Sequence, residues 1–83
     1  MKIKSTDEDL YKTSDMNLCV SLCCYGYEIE GINRQNPAKV IFLIKKDKKL
    51  DVLIRQYFSH QLKVDPSMLF FYLRQIKTMI YNS

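Results

Sequence analysis

The side chains best suited to chemistry in this 83-residue chain are three thiols and one imidazole. Cys19 and Cys23 are four residues apart, Cys24 follows directly, and His60 is the single histidine. Three thiolates and one imidazole form a ligand set that zinc accepts. However, the cysteines lack the Cys-x-x-Cys spacing of structural zinc sites, and free cysteines are commonly packed in protein cores. The sequence therefore predicts no metal site and no cofactor.

The same residues do not form a catalytic pattern. No serine or cysteine nucleophile motif accompanies His60, and the chain contains neither a glycine-rich phosphate loop nor a dinucleotide-binding fingerprint. Glu28 and Glu30 alternate along a predicted half-exposed strand, which explains the pair without acid–base chemistry. We therefore expect a protein that is not an enzyme and has no catalytic residue.

Positive charge is the strongest remaining signal. The net charge is +4, divided as −2 over residues 1–38 and +6 over residues 39–83. Lysines at the start of a helix oppose its dipole, so helix stability alone does not favour them there. Lysines beside exposed aromatic rings are typical of sequence-tolerant nucleic-acid binding, although a solvated lysine rim over the core is the alternative. The predicted DNA- or RNA-binding residues are Arg34, Lys39, Lys45, Lys46, Lys48 and Lys49.

A strand predicted at residues 40–44 would position this cluster. Five consecutive apolar residues between lysines favour a strand that is buried on both faces, with one helix before it and two after it to provide the cover. Residues 27–32 alternate as a second, half-exposed strand, and Gly31 marks a bulge in it. The turn at residues 33–38 joins the two strands into an antiparallel hairpin.

Capping residues set the limits of three predicted helices. The first helix runs from about residue 15 to residue 24, with Asp15 at its positive end and Gly26 as its terminator. Asp47 is the predicted N-cap of the second helix, and Asp65 precedes Pro66 at the start of the third. The second helix has an amphipathic stripe formed by Leu50, Leu53, Ile54, Tyr57 and Phe58.

The third helix, residues 66–81, is apolar on nearly every side. Its main stripe repeats at helical spacing, but large apolar residues also lie off that stripe. Such a surplus predicts a second contact surface, used for a homodimer or for a larger protein partner. The predicted interaction-surface residues are Phe70, Phe71, Tyr72 and Met79.

The expected fold is a single α+β domain at residues 13–83, in the order α-β-β-α-α, after a mobile arm at residues 1–12. A two-stranded antiparallel hairpin packs on the helices, and its edge is a candidate for pairing across a dimer. No signal peptide or membrane-spanning apolar run is visible in the sequence. With free thiols, these features predict a cytoplasmic protein that does not contact membranes.

Several segments together resemble a small prokaryotic and viral domain family of unknown function. They are YKTSD at residues 11–15, GYE at 26–28, NRQNP at 33–37, VDP at 64–66 and LRQIK at 73–77. The resemblance covers about residues 11–81 and implies a protein of prokaryotic or phage type. It assigns no catalytic or binding residue.

Two functional hypotheses follow from these patterns. The first is a small, basic, non-catalytic accessory protein that contacts nucleic acid through the lysine cluster. The alternative is a protein-interaction module or homodimeric small subunit that has no role with nucleic acid.

Overall fold

The computed structural model describes residues 9–36 and 38–81 as a small α+β fold. The α+β class is therefore confirmed, and so is the hairpin followed by two helices. The predicted order α-β-β-α-α is incomplete, because the described chain begins with a strand. The elements are β1 Leu10–Thr13, α1 Met16–Cys24, β2 Ile29–Asn33, β3 Ile41–Lys45, α2 Leu50–Phe58 and α3 Pro66–Tyr81.

Strand β1 turns the predicted two-stranded hairpin into a three-stranded sheet. It pairs antiparallel with β3, from Leu10 opposite Lys45 to Thr13 opposite Phe42, so that β3 is central in the order β1-β3-β2. Its four residues include one aliphatic side chain, and a pattern that short does not predict a strand. Of the arm predicted at residues 1–12, residues 1–8 lie outside the described part, whereas residues 10–12 belong to β1.

The prediction that the central strand is buried on both faces is wrong. Phe42 and Ile44 are almost completely buried, whereas Ile41 and Leu43, which point to the opposite face, are only half-buried. The strand residues that pack against the core, Tyr11, Ile29 and Ile32, share the face of Phe42 and Ile44. The helices therefore cover one face of the sheet, and β3 alternates as a strand in a two-layer fold does.

Helix α1 is the most deeply buried element. Six consecutive residues from Leu18 to Cys23 are buried. Asp15, which was expected at the positive end of this helix, is its N-cap, because its carboxylate accepts the backbone N–H of Leu18 at 3.1 Å. The buried hydroxyl of Ser21 donates to the carbonyl of Asn17 at 2.8 Å, so this polar group is satisfied within the helix.

Glycines lie at the end of α1 and at the bulge in β2. Gly26 has a φ of 97°, a left-handed conformation that side chains rarely adopt. It turns the chain from α1 towards β2. At Gly31, the β2–β3 register shifts after the pairing of Ile29 with Ile44. The predicted bulge at Gly31 is therefore confirmed.

The last two helices complete the core from one side of the sheet. Leu50 of α2 and Ile76 of α3 are fully buried, and the predicted α3 stripe, which includes Leu69, Leu73 and Ile80, packs against the core. Asp65 caps α3 as predicted, since its carboxylate accepts the backbone N–H of Met68 at 3.3 Å. Among the described residues, no helix has the length and apolarity that crossing a membrane requires.

Candidate functional site

Four of the six predicted basic residues lie in one short segment at the end of the sheet. Residues 45–49, the lysine turn, run from the last residue of β3 to the residue before α2. Lys45, Lys46, Lys48 and Lys49 are all exposed. Because the turn is only five residues long, these ammonium groups share one end of the molecule.

Beside the lysine turn, a cleft of about 590 Å³ opens between the α1–β2 connection and the first turns of α2. Two tyrosines line one side of this tyrosine cleft, and Val52, Leu53 and Gln56 line the other. Lys48 and Lys49 also border it. The cleft therefore combines aromatic rings, an apolar wall and positive charge. The rings are those of Tyr25 and Tyr27.

Both tyrosine rings are held in place by their hydroxyl groups. The hydroxyl of Tyr25 donates to the backbone carbonyl of Lys63, which follows α2. The hydroxyl of Tyr27 donates to the carboxylate of Asp47 in the lysine turn. Partial burial, together with this hydrogen bond and the charge of Asp47, raises the pKa of Tyr27 to about 12. The rings are therefore oriented by the fold.

Asp47 organises the lysine turn. Its carboxylate accepts the backbone N–H groups of Lys49 at 3.0 Å and Leu50 at 3.1 Å. These hydrogen bonds, led by that from Tyr27, lower the pKa of Asp47. The prediction that Asp47 is the N-cap of α2 is wrong, because the helix begins at Leu50 and Lys49 occupies the cap position. Asp47 nevertheless accepts the backbone N–H of Leu50, the first helical residue. Because the carboxylate of Asp47 already binds the free backbone N–H groups at the start of α2, an anion bound at the lysine turn would contact lysine side chains and not the helix terminus.

The charges around the lysine turn are not uniform. Lys45 and Lys46 line a depression of about 280 Å³ that also contains Glu28 and Glu30. By contrast, the lining of the tyrosine cleft contains one carboxylate, that of Asp47, which is already hydrogen-bonded. The excess of positive charge is therefore greatest at Lys48 and Lys49.

The other two predicted basic residues lie at the opposite end of the sheet. Arg34 follows β2 and donates to the carbonyls of Met79 at 3.0 Å and Ile80 at 2.7 Å. It therefore satisfies carbonyls at the end of α3, where a cation also suits the helix dipole. Lys39 precedes β3. The length of β3, roughly 13 Å at about 3.3 Å per residue, separates these residues from the lysine turn.

The four predicted interaction-surface residues occupy different environments. Phe70, Phe71 and Met79 are 58%, 48% and 42% exposed. Tyr72 is half-buried, because it packs against the core on one side and lines a groove together with Phe71 and Met79 on the other. It was predicted to be exposed because α3 is apolar all round, and the sequence does not show which side faces the sheet.

The exposed apolar residues of α3 lie in two separate surface depressions. Phe71, Tyr72 and Met79 line a groove of about 340 Å³ between α3 and β2, the α3 groove, together with Gln75, Glu28 and Ile29. Phe70 lies beside Arg74 and Lys77 in a separate depression. Other large apolar side chains that are at least 40% exposed were not predicted as surface residues; they include Val52, Phe58, Met68 and Tyr81.

The thiols belong to the core. Cys19 and Cys23 are buried, and Cys24 is half-buried. The hydrogen bond to Cys23, together with burial, raises the pKa of Cys19, so this thiol keeps its proton. Burial likewise raises the pKa of Cys24. Within residues 9–36 and 38–81, no group of three or more His, Cys, Asp and Glu side chains is arranged to hold a metal ion.

Residues missed by the sequence analysis form the far wall of the tyrosine cleft. Val52 is 46% exposed, and Gln56 is half-buried. Both lie on α2, more than 20 residues after the two tyrosines in the chain. No local pattern predicts this proximity, because it arises from the packing of α2 beside the α1–β2 connection.

A family described as a domain of unknown function, DUF5659, matches residues 8–82. No curated protein and no solved structure matches the chain.

Proposed function

Since the chain belongs to the DUF5659 family of unknown function, we propose from its geometry that it is a small, non-catalytic protein that contacts nucleic acid. The observation that carries the proposal is the lysine turn, which has four exposed lysines within five residues. Two of them, Lys48 and Lys49, border the cleft that contains the two anchored tyrosines. The proposed contact residues are Lys45, Lys46, Lys48 and Lys49. Arg34 and Lys39 lie at the other end of the sheet and are excluded from this interface.

Elementary electrostatics supports this role. Lysine ammonium groups bind backbone phosphates without reading the sequence, and they release condensed counterions when they do so. Lys48 and Lys49 offer the least compensated charge, whereas Glu28 and Glu30 offset part of the charge of Lys45 and Lys46. Lys48 and Lys49 should therefore contribute more to binding. The role needs no catalytic group, and a cytoplasmic location and a prokaryotic or viral origin are part of the same proposal.

Fluorescence anisotropy with labelled DNA and RNA tests the proposal. We expect binding at about 50 mM salt, where electrostatic affinity is high. The Lys48→Gln/Lys49→Gln variant should bind more weakly. A matched control, Lys39→Gln/Lys77→Gln, removes the same charge outside the tyrosine cleft and should keep most of the affinity. Absence of binding to every nucleic acid at that salt concentration refutes the proposal, and equal losses in both variants refute the assigned site.

Self-association is a second candidate function. Its specific support is the α3 groove, where Phe71, Tyr72 and Met79 form one continuous apolar lining, with Phe70 exposed on the same helix. Contiguous exposed apolar surface is typical of contact sites. Light scattering should then give about twice the 9.9 kDa mass of the chain. Phe70→Ser/Phe71→Ser should restore the monomer, whereas Phe58→Ser, on α2, should not. A monomer at high concentration rules out this function.

A further inference from the structure

We infer that the tyrosine cleft binds one unpaired nucleobase, stacked on Tyr25, while Lys48 and Lys49 hold the adjoining phosphates. The inference rests on the proposed function and deepens it, because it specifies a single-stranded nucleic acid as the ligand. The cleft volume, about 590 Å³, lies within the range of roughly 300–1,000 Å³ that small-ligand pockets have.

Tyr25 is suited to stacking because it is both exposed and fixed. Its side chain is 44% exposed, and its hydroxyl is bound to the carbonyl of Lys63, on the chain that leaves α2. A ring held at its far end cannot fold away from the cleft without breaking that hydrogen bond. Such a ring loses little conformational freedom when a base stacks on it, and this lowers the entropic cost of binding.

The surroundings of Tyr25 leave room for a flat ligand. Gly26 follows it, and no atom lies within 4 Å of the position that a Cβ would occupy there. On the other side, Val52 presents an apolar surface that is 46% exposed. Gln56 also lines the cleft. Its side-chain amide can both donate and accept hydrogen bonds, as the edge of a base requires.

A base within a duplex does not fit this arrangement. Stacked and paired bases present only their edges in the grooves, so a base must leave the stack before an aromatic side chain can cover its face. Single strands present their base faces at much lower cost, and aromatic stacking on them tolerates any base. The cleft is therefore expected to favour single strands over duplexes and to show little sequence preference.

The test compares a labelled single strand, a hairpin duplex of related sequence and a mononucleotide in anisotropy and competition experiments at about 50 mM salt. The wild type should bind the single strand more tightly than the duplex. Tyr25→Leu should weaken single-strand binding by about 5- to 150-fold, the range expected from the loss of one stacked base. It should leave duplex binding unchanged. Tyr81→Leu removes an exposed tyrosine outside the cleft and is the matched control.

A second variant guards against loss of the fold in Tyr25→Leu. Val52→Glu places a carboxylate at an exposed helix position in the cleft and should reduce single-strand binding while the circular dichroism melt is retained. Equal affinity for single strand and duplex, with no effect of either variant, overturns this inference but leaves the proposed function intact. A mononucleotide that binds as tightly as the strand overturns the strand assignment and identifies a free nucleotide as the ligand. If the wild type binds neither the single strand nor the duplex, both this inference and the proposed function are refuted.

Discussion

The carboxylate of Asp15 ties α1 to α2, and its removal gives the sharpest test of the fold. Asp15 accepts the backbone N–H of Leu18 at 3.1 Å and the hydroxyl of Tyr57 at 3.2 Å. Loss of an aspartate N-cap costs about 1 kcal/mol, and loss of a hydrogen bond to a charged group costs about 1 kcal/mol where it is partly exposed. Asp15→Ala should therefore reduce the free energy of unfolding by about 2 kcal/mol.

Two further variants separate these contributions. Tyr57→Phe removes only the hydroxyl and should cost about 1 kcal/mol. Asp15→Asn keeps an oxygen that can accept the cap hydrogen bond, so it should cost less than Asp15→Ala. Because the interhelix hydrogen bond can be lost only once, the double variant Asp15→Ala/Tyr57→Phe should be no less stable than Asp15→Ala, and the coupling energy should be about 1 kcal/mol.

Urea unfolding followed by circular dichroism measures these differences, and thermal melts provide a second measurement. A loss of about 2 kcal/mol should lower Tm by roughly 8–16 °C in a domain of this size. It is also a large part of the total stability, about 4–12 kcal/mol for a chain of this length. If the effects of Asp15→Ala and Tyr57→Phe simply add, the side chains are not coupled and the proposed link between α1 and α2 is wrong.

Three other predictions concern charge, backbone strain and protonation. If four lysines bind single-stranded phosphates, the affinity of the wild type should fall by about 50-fold between about 50 and 200 mM salt. The affinity of Lys48→Gln/Lys49→Gln, which keeps two of these lysines, should fall by only about 7-fold. A variant with the same salt dependence as the wild type contradicts the assignment. His60, which follows α2, has a φ of 63°, a left-handed conformation that strains residues with a side chain. His60→Gly should relieve this strain and raise the free energy of unfolding by about 1 kcal/mol. A lower Tm of the variant in calorimetry would exclude this strain. The pKa of Tyr27 is raised from the usual 10.0 to about 12, so the folded protein holds this phenolic proton more tightly than the unfolded chain does. This difference stabilises the folded state fully below pH 10, and the stabilisation is lost as the pH rises from there towards 12. In an ultraviolet titration, the Tyr27→Phe variant should not show the tyrosine ionisation near pH 12. If that ionisation is still present in the variant, it belongs to another tyrosine.

The residues of the candidate site were partly predictable from the sequence. The dense lysines at residues 45–49 are a local feature, and they lie together whatever the fold around them. Arg34 and Lys39 carry the same charge as these lysines, so charge alone does not place them at a different site. The hydrogen bonds of Arg34 to the last turn of α3 show that an arginine in a turn can have a structural partner 45 residues away.

The sequence by itself determined the features that depend on neighbouring residues. Asp15, Asp65 and Pro66 mark helix starts because their side chains act on the first turn of the helix that follows. Gly26 marks a helix end because its backbone has a positive φ, which glycine adopts without strain. Gly31 marks a bulge because glycine weakens a strand. These interactions span a few residues, so the local sequence contains the necessary information.

Only the tertiary structure decided the features that depend on distant residues. Strand β1 is too short to be recognised alone and exists because it pairs with β3. The partial burial of Tyr72, and of one face of the central strand, follows from where the helices pack. The tyrosine cleft forms because α2 packs beside the α1–β2 connection. Hydrophobic burial has no direction of its own, so an apolar sequence specifies that a surface must be covered but not which element covers it.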